Sequence, residues 1–306
     1  MDFNDAKSEI LQVLSRTDRQ HVPKLLEWLK CSDELDEVLV DNQSIILQSI
    51  ADDLRACLPL EAMAPSETMA VNKTQQKTHP TVHVDAFLYN DDAVDSLCEE
   101  GKMSRNYCLS CGSHKTAPLE FISHSFSIPE LQFIFHHALP DLTGKLLVDV
   151  GSRLGAVLFG GYLYSSASQL VGVEISLEFV RLQTMAAEKY GFTDRIQVIH
   201  ADIRSQAALV QNTDVLILNN VFEFFMETSD QIQTWKFISQ NFRKKGAMLL
   251  TVPSMQEALG LLQDPAFKEM FAVNQWIEEV PIDYDVYLRN HSDPDSLKQI
   301  HIYRVI

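Results

Sequence analysis

An α/β fold, with a mostly parallel sheet covered by helices and preceded by a helical region, is what this sequence predicts. Three observations carry it. From Lys145 onward, short apolar runs of strand length alternate with longer stretches of helical periodicity. The first run, Leu146 to Val150, ends in a glycine-containing turn, Gly151-Ser152-Arg153-Leu154-Gly155, which opens onto an apolar segment long enough for a helix. The next run, Leu170 to Val173, ends in the acid Glu174. Strand, glycine turn, helix and carboxylate-tipped strand is the order of the first β-α-β unit of a nucleoside-binding sheet.

The elements follow in order. Residues 1 to 58 read as helices: Ile10, Val13 and Leu14 share one face, Val22, Leu25, Leu26 and Leu29 a second, and Ile45, Ile46, Ile50 and Leu54 a third. Residues 59–80 lose this periodicity and turn rich in Pro, Ser, Thr, Gln and Lys, as a linker does. Residues 81–119 form a small segment of their own. It opens on TVHVDAFLYN, which alternates like a strand, and continues through a short helix capped by Asp91 or Asp92 and ending near Glu100. It then reaches Cys108 and Cys111 in a C-x-x-C. That pair is half a zinc knuckle or two plain thiols in a turn. Cys98, His114 and His124 are the nearby candidates for completing it, and none makes a recognised spacing, so no metal is assigned.

Residues 120–306 form the main domain. A helix with Pro129 in its first turn spans 126–138. Strands are expected at 145–150, 169–174, 196–201, 214–219 and 246–252, and helices at 154–166, 177–190, 204–211 and 229–242. After Pro253 come a helix near 255–271 and an antiparallel pair, 275–284 with 299–306.

Composition narrows the function classes. The 306 residues are 46% hydrophobic, enough for a full core. Forty-two acids against 25 bases leave a net charge of -17. This argues against duplex nucleic acid as the main partner, because phosphate binding needs a positive field. The acidity permits a basic protein partner and equally serves solubility. The start, MDFNDAKSEI, lacks the basic and apolar regions of a secretory signal, and no apolar stretch of membrane-spanning length is free of polar breaks. Five sparse cysteines read as reduced thiols. Together these features predict an intracellular protein, cytoplasmic or nuclear, with no membrane association.

Ligands of open α/β sheets bind beyond the carboxyl ends of the strands. Asp149, Gly151, Ser152 and Gly155 lie at the first such end and Glu174 at the second, where a carboxylate can accept two ribose hydroxyls. Asp202 in HADIR ends the third strand, placed to accept an adenine amino group, with Ile203 beside it to pack on the ring. Asn219 and Asn220 end the fourth, as side-chain amides for a substrate or for the amino-acid part of a cofactor. Any one of these is explained by an ordinary turn or cap. Four successive strands each ending in a suitable polar group are not.

These residues carry a resemblance. Residues 145 to about 254 resemble the class I S-adenosylmethionine-dependent methyltransferase fold, with the glycine motif as VDVGSRLG, the ribose acid as Glu174 in VGVE and the adenine-side acid as Asp202. The antiparallel C-terminal pair extends the resemblance over residues 120–306. VDVGSxLG, GVE and the Asn pair together also resemble the non-SET histone-lysine methyltransferases. The resemblance implies a Rossmann-like methyltransferase domain, S-adenosylmethionine as cofactor, transfer of methyl to a protein, and cofactor contacts from Asp149, Gly151, Ser152, Gly155, Glu174, Asp202, Ile203, Asn219 and Asn220. No general base is evident. Phe222, Phe224 and Phe225 are candidates to line an acceptor channel or to pack in the core, and Glu223 is the best-placed acid.

One residue departs from the family pattern. Arg153 stands where the middle glycine of D-x-G-x-G-x-G belongs. It crowds the methionine end of the cofactor, points outward, or pairs with the cofactor's carboxylate. The alternative function is accordingly a catalytically inactive relative that serves as a binding or scaffold protein. A nicotinamide-dependent oxidoreductase fits less well, because Arg153 and Ala156 occupy the second and third glycine places of the dinucleotide turn.

Overall fold

Apolar runs buried on both sides give the chain its central sheet. LLVDV (β5, Leu146–Val150), QLVGVE (β6, Gln169–Glu174), VLILN (β8, Val215–Asn219) and MLLTV (β9, Met248–Val252) are each shielded along almost their whole length. Such runs suit interior strands of a sheet covered on both faces. The computed structural model describes residues 3–31, 42–60, 62–63, 65, 67–69, 81–109, 115–118, 120–260, 262, 273–284 and 294–306. Two compact units are present, Met1–Ile45 and Ile46–Ile306.

In the first unit, α1 (Phe3–Arg16) and α2 (Val22–Cys31) are joined by a turn in which Asp18 accepts the His21 N–H at 2.8 Å. Ile10 and Val13, expected to share a face, are 51% and 57% exposed.

In the second unit a seven-stranded sheet runs in the order β10-β11-β9-β8-β5-β6-β7, with β7 at Ile196–His200, β10 at Ile277–Val280 and β11 at His301–Val305. β9, β8, β5, β6 and β7 pair in parallel, and β11 runs antiparallel between β9 and β10. This is the mostly parallel Rossmann-like sheet with an antiparallel C-terminal pair that the methyltransferase resemblance implies. Alternate residues face opposite layers. Leu147, Leu170, Ile217 and Leu250 join a core with Leu47, Ile50 and Leu54 of α3 (Asn42–Ala56) and with Leu131, Phe133, Leu158 and Phe159. Val148, Val171, Leu216 and Leu249 pack on the other side with Val210, Trp235, Ile238 and Phe242. Each large side chain so buried contributes about 1.5–3 kcal/mol.

Several local expectations are corrected. The run at 81–90 is a strand only over β1 (Thr81–His83), because the Asp85 carboxylate accepts the N–H groups of Phe87 and Leu88 and turns the chain. The following helix, α4 (Asp91–Glu99), is capped by Asn90, whose side chain accepts the Ala93 N–H, and not by either aspartate. The helix after Ser127 divides into α5 (Ile128–Phe133), closed by a Ser127–Glu130 capping box, and a π turn, Ile134–Ala138. Ile45 is 54% exposed, and Leu47 and Ala51 take the inner face of α3 with Ile50 and Leu54. The helix expected at 204–211 begins as a 3₁₀ turn, Ile203–Ser205, under Asp202 before Ala207–Asn212. Of the helix expected at 255–271, Met255–Gly260 is seen, and 263–272 lie outside the described residues. So do Cys111 and His114; Cys108 is exposed on β2 (Asn106–Cys108), which pairs with β3 (Thr116–Pro118), and β4 (Glu120–Ile122) pairs in parallel with β1.

Among the described residues no helix is long and apolar enough to cross a membrane.

Candidate functional site

β5 is flanked by β6 on one side and β8 on the other, so the winding reverses there, which is where open α/β sheets take their ligands. The glycine turn sits at that point. Gly151 has φ +66, and its N–H donates to Val173 O at 2.8 Å. A Cβ on Gly151 would lie 2.3 Å from Val221 Cγ2, so only glycine lets the loop after β8 close on this turn. Gly155, at φ +82, begins α6 (Ala156–Tyr164). The turn is pinned from below by Gln183, fully buried on α7 (Leu177–Lys189). Gln183 accepts the Ser152 hydroxyl at 2.8 Å and donates to Arg153 O at 2.7 Å, so Ser152 points into the helix–sheet layer.

Glu174 meets the turn from β6. One carboxylate oxygen accepts the Arg153 N–H at 2.9 Å and the other the Ser176 N–H at 2.7 Å. Each oxygen keeps a further lone pair, so the group can accept two vicinal hydroxyls. Burial pushes the Glu174 carboxyl up, while the two N–H groups pull it back. Asp149, 4% exposed on β5, is pushed well above the usual carboxylate range by burial and then by the charge of Glu174.

Arg153 is 5% exposed and holds φ +45, a left-handed conformation at the place of the missing glycine. Its guanidinium turns to partners far away in sequence. Nε donates to Glu67 Oε1 at 2.6 Å, Nη2 to Glu67 Oε2 at 3.1 Å and to Ala62 O at 2.5 Å, and Nη1 to Asp85 Oδ2. It also stacks over Phe179, 5.1 Å from the ring centroid. Burial works against the charge, but Asp85 and Glu67 outweigh it and raise the guanidinium's pKa. Asp85 in turn accepts the Ser125 hydroxyl at 2.6 Å.

The remaining predicted residues occupy the neighbouring tips. Asp202 caps the 3₁₀ turn through the Arg204 N–H and is gripped by the Arg204 guanidinium, at 2.7 Å for the closest pair, which lowers its pKa. Ile203 beside it is buried. Asn219 ends β8; Asn220, at φ +48, donates from its side chain to Ser123 O at 3.1 Å. Phe222 is buried edge-on against Trp235 and belongs to the core. Burial raises the Glu223 carboxyl. The structure thus brings Asp149, Gly151, Ser152, Gly155 and Glu174 into one cluster, with Asn219 and Asn220 across the β5–β8 boundary and Asp202 and Ile203 at the β7 edge.

One functional candidate, His83, escapes sequence reading, where His124 stands only as a neighbour of the C-x-x-C and as one of the lone histidines His124, His136 and His137 that tempt as bases but have no carboxylate partner. His83 and His124, 41 residues apart, meet at 2.8 Å between Nδ1 and Nε2, with rings stacked at 5.1 Å and 18°. Phe224 and Phe225 from the loop after β8 contact the His124 ring at 5.2 and 4.7 Å. A histidine pair closed by tertiary folding leaves no spacing signal.

Charge decides what kind of ligand suits this site. Among the described residues, Glu174, Glu67 and Asp85 are set against the Arg153 guanidinium, so carboxyl groups outnumber cations there, while burial keeps Asp149 protonated. A cationic group is favoured there, and a pyrophosphate is disfavoured.

No family model matches the chain, and no curated protein matches it. Among solved structures it is similar to a SAM-dependent O-methyltransferase from Thermotoga maritima (15% identity, 60% of this chain and 68% of that one, TM-score 0.40). It is also similar to an O-methyltransferase from Bacillus cereus in complex with SAH (13% identity, 60% and 84%, TM-score 0.38). A methyltransferase from Geobacter sulfurreducens matches at 16% identity over 58% of this chain and 78% of that one, with a TM-score of 0.37.

Proposed function

We propose that the chain is an S-adenosylmethionine-dependent methyltransferase. The observation that carries the reading is the Glu174 carboxylate, oriented by the Arg153 and Ser176 N–H groups beside a positive-φ glycine turn at the switch point of the sheet. Glu174 holds the ribose, Gly151 and Gly155 let the backbone approach the ligand, and the carboxyl excess favours its cationic end. Asp149, Ser152, Asp202, Ile203, Asn219 and Asn220 complete the proposed contacts. Ser152 acts by fixing the turn through Gln183, and Asp202 must loosen from Arg204 to reach an adenine amino group. When bound, S-adenosylmethionine supplies an activated methyl group; the protein's share is to align the acceptor and exclude water.

The finer reading is a protein acceptor. The net charge of -17 suits a basic partner, and the Asn219-Asn220 pair supports it through the histone-lysine methyltransferase resemblance. A second reading, a binding protein on this fold that transfers no methyl, is favoured by the buried Arg153–Glu67–Asp85 cluster, which invests the glycine turn in a structural contact. Isothermal titration with S-adenosylmethionine tests the proposal. Heat of binding that Glu174→Ala abolishes is expected, and no heat at millimolar ligand overturns it. Transfer of tritiated methyl to lysate fractions then separates the enzyme from the binding protein.

A further inference from the structure

We propose that His83 and His124 form the proton acceptor of the transfer reaction, which implies that the methyl goes to a heteroatom carrying a proton, a hydroxyl or an ammonium group. The inference rests on the methyltransferase reading and deepens it. The tips of β5, β6 and β7 are taken up by the nucleoside seat, so the acceptor has to enter across the switch point, at the tip of β8. The histidine pair stands there. Phe224 and Phe225, five and six residues beyond the end of β8 at Asn219, pack against the His124 ring. Phe224 also meets His83 edge-on at 5.9 Å. From the same loop, Asn220 bonds the carbonyl of Ser123, next to His124. Val221, between these residues, packs over Gly151 of the glycine turn.

Ring nitrogens 2.8 Å apart must share a hydrogen bond, so one imidazole donates and the other accepts. A proton added to the pair can pass along that bond. His124 is 8% exposed, and the ring nitrogens outside this bond, His124 Nδ1 and His83 Nε2, are themselves buried, so a proton taken by the pair is held between the two rings. In the step itself, a hydroxyl gives up its proton as its lone pair forms the bond to the methyl carbon, whereas an ammonium group has no lone pair and must give up its proton first. The carbon–sulfur bond breaks with its electrons staying on sulfur, and the acceptor's proton goes to the imidazole pair, which is left as an imidazolium. Imidazole suits this task because its ordinary pKa lies near neutrality.

The test uses the full chain, with His124→Gln and His83→Gln. Titration with S-adenosylmethionine is expected to give wild-type affinity in both variants. Tritiated-methyl transfer to the lysate fraction labelled by wild type is expected to fall about 100-fold or more. Nitrogen-15 NMR of the unliganded wild type is expected to show one strongly hydrogen-bonded imidazole N–H that both substitutions remove. Variants that bind the cofactor and transfer within threefold of wild type overturn the inference, as does an NMR spectrum of two independent imidazoles. A wild type that binds the cofactor but labels nothing overturns it too. If wild type binds no S-adenosylmethionine, the methyltransferase reading itself fails, and the inference with it.

Discussion

Replacing Arg153 by glycine completes the glycine turn of the methyltransferases that the sequence resembles and is nevertheless expected to destabilise the fold. Two effects oppose each other. The substitution removes a left-handed non-glycine residue at φ +45, a relief of about 1–2 kcal/mol. It also strips the counter-charge from Asp85, whose side chain has no exposure, and from Glu67, at 10%. Deleting one partner of a buried ion pair costs about 3–5 kcal/mol. The second effect wins, for a net loss of about 1–4 kcal/mol, read by urea denaturation with near-ultraviolet circular dichroism of the buried Trp235 and Trp276. Glu67→Gln sharpens the test. In wild type it weakens a two-pronged ion pair and should destabilise; in Arg153→Gly it removes a buried carboxylate that has lost its guanidinium and should stabilise. A loss below about 1 kcal/mol for Arg153→Gly, or no change of sign for Glu67→Gln, would refute the reasoning.

Further predictions concern the same turn and its support. Glu174→Gln keeps the shape but loses the charge and one acceptor, and should weaken S-adenosylmethionine binding by about tenfold or more in titration calorimetry. Asp149 has a folded-state pKa above its unfolded value, so its stabilising contribution is complete below the ordinary carboxylate range and is lost as pH rises through the elevated value. Asp149→Asn should therefore gain on wild type in melting temperature from pH 4 to pH 8; a gap that does not change with pH would count against a buried, proton-retaining Asp149. Gly172→Ala would place a Cβ 2.6 Å from Ser152 Oγ and 2.8 Å from Leu158 Cδ1. It should destabilise by about 1–3 kcal/mol in denaturant melts and loosen the turn that Ser152 anchors.

The sequence was informative wherever the governing physics is local. Strand runs such as LLVDV and VLILN declare themselves because burial on both faces demands unbroken apolar residues. Gly151 and Gly155 mark the turn because positive φ is nearly their preserve, and Glu174 marks the strand tip because it follows an apolar run by one residue. The helical N-terminal region was legible from its periodicity, but which face of α3 is buried was not, since that depends on what packs against it. The C-terminal strands were legible as a pair. That β11 slots between β9 and β10 was settled by edge pairing in the assembled sheet.

Tertiary structure alone assigned the charged and aromatic side chains of the site. Arg153 was visible as an irregularity in the glycine turn, but its partners Asp85 and Glu67 lie 68 and 86 residues away. A buried guanidinium takes whichever carboxylates the folded loops bring to it, and no spacing encodes that choice. The same holds for Gln183 beneath the turn and for the His83–His124 pair. The sequence by itself determined the sheet, its glycine turn and the carboxylate at the tip of β6, because backbone conformation and burial leave periodic and positional marks. Only the folded chain decided what the irregular residue does there, because charge pairing in a buried site is fixed by contact in space.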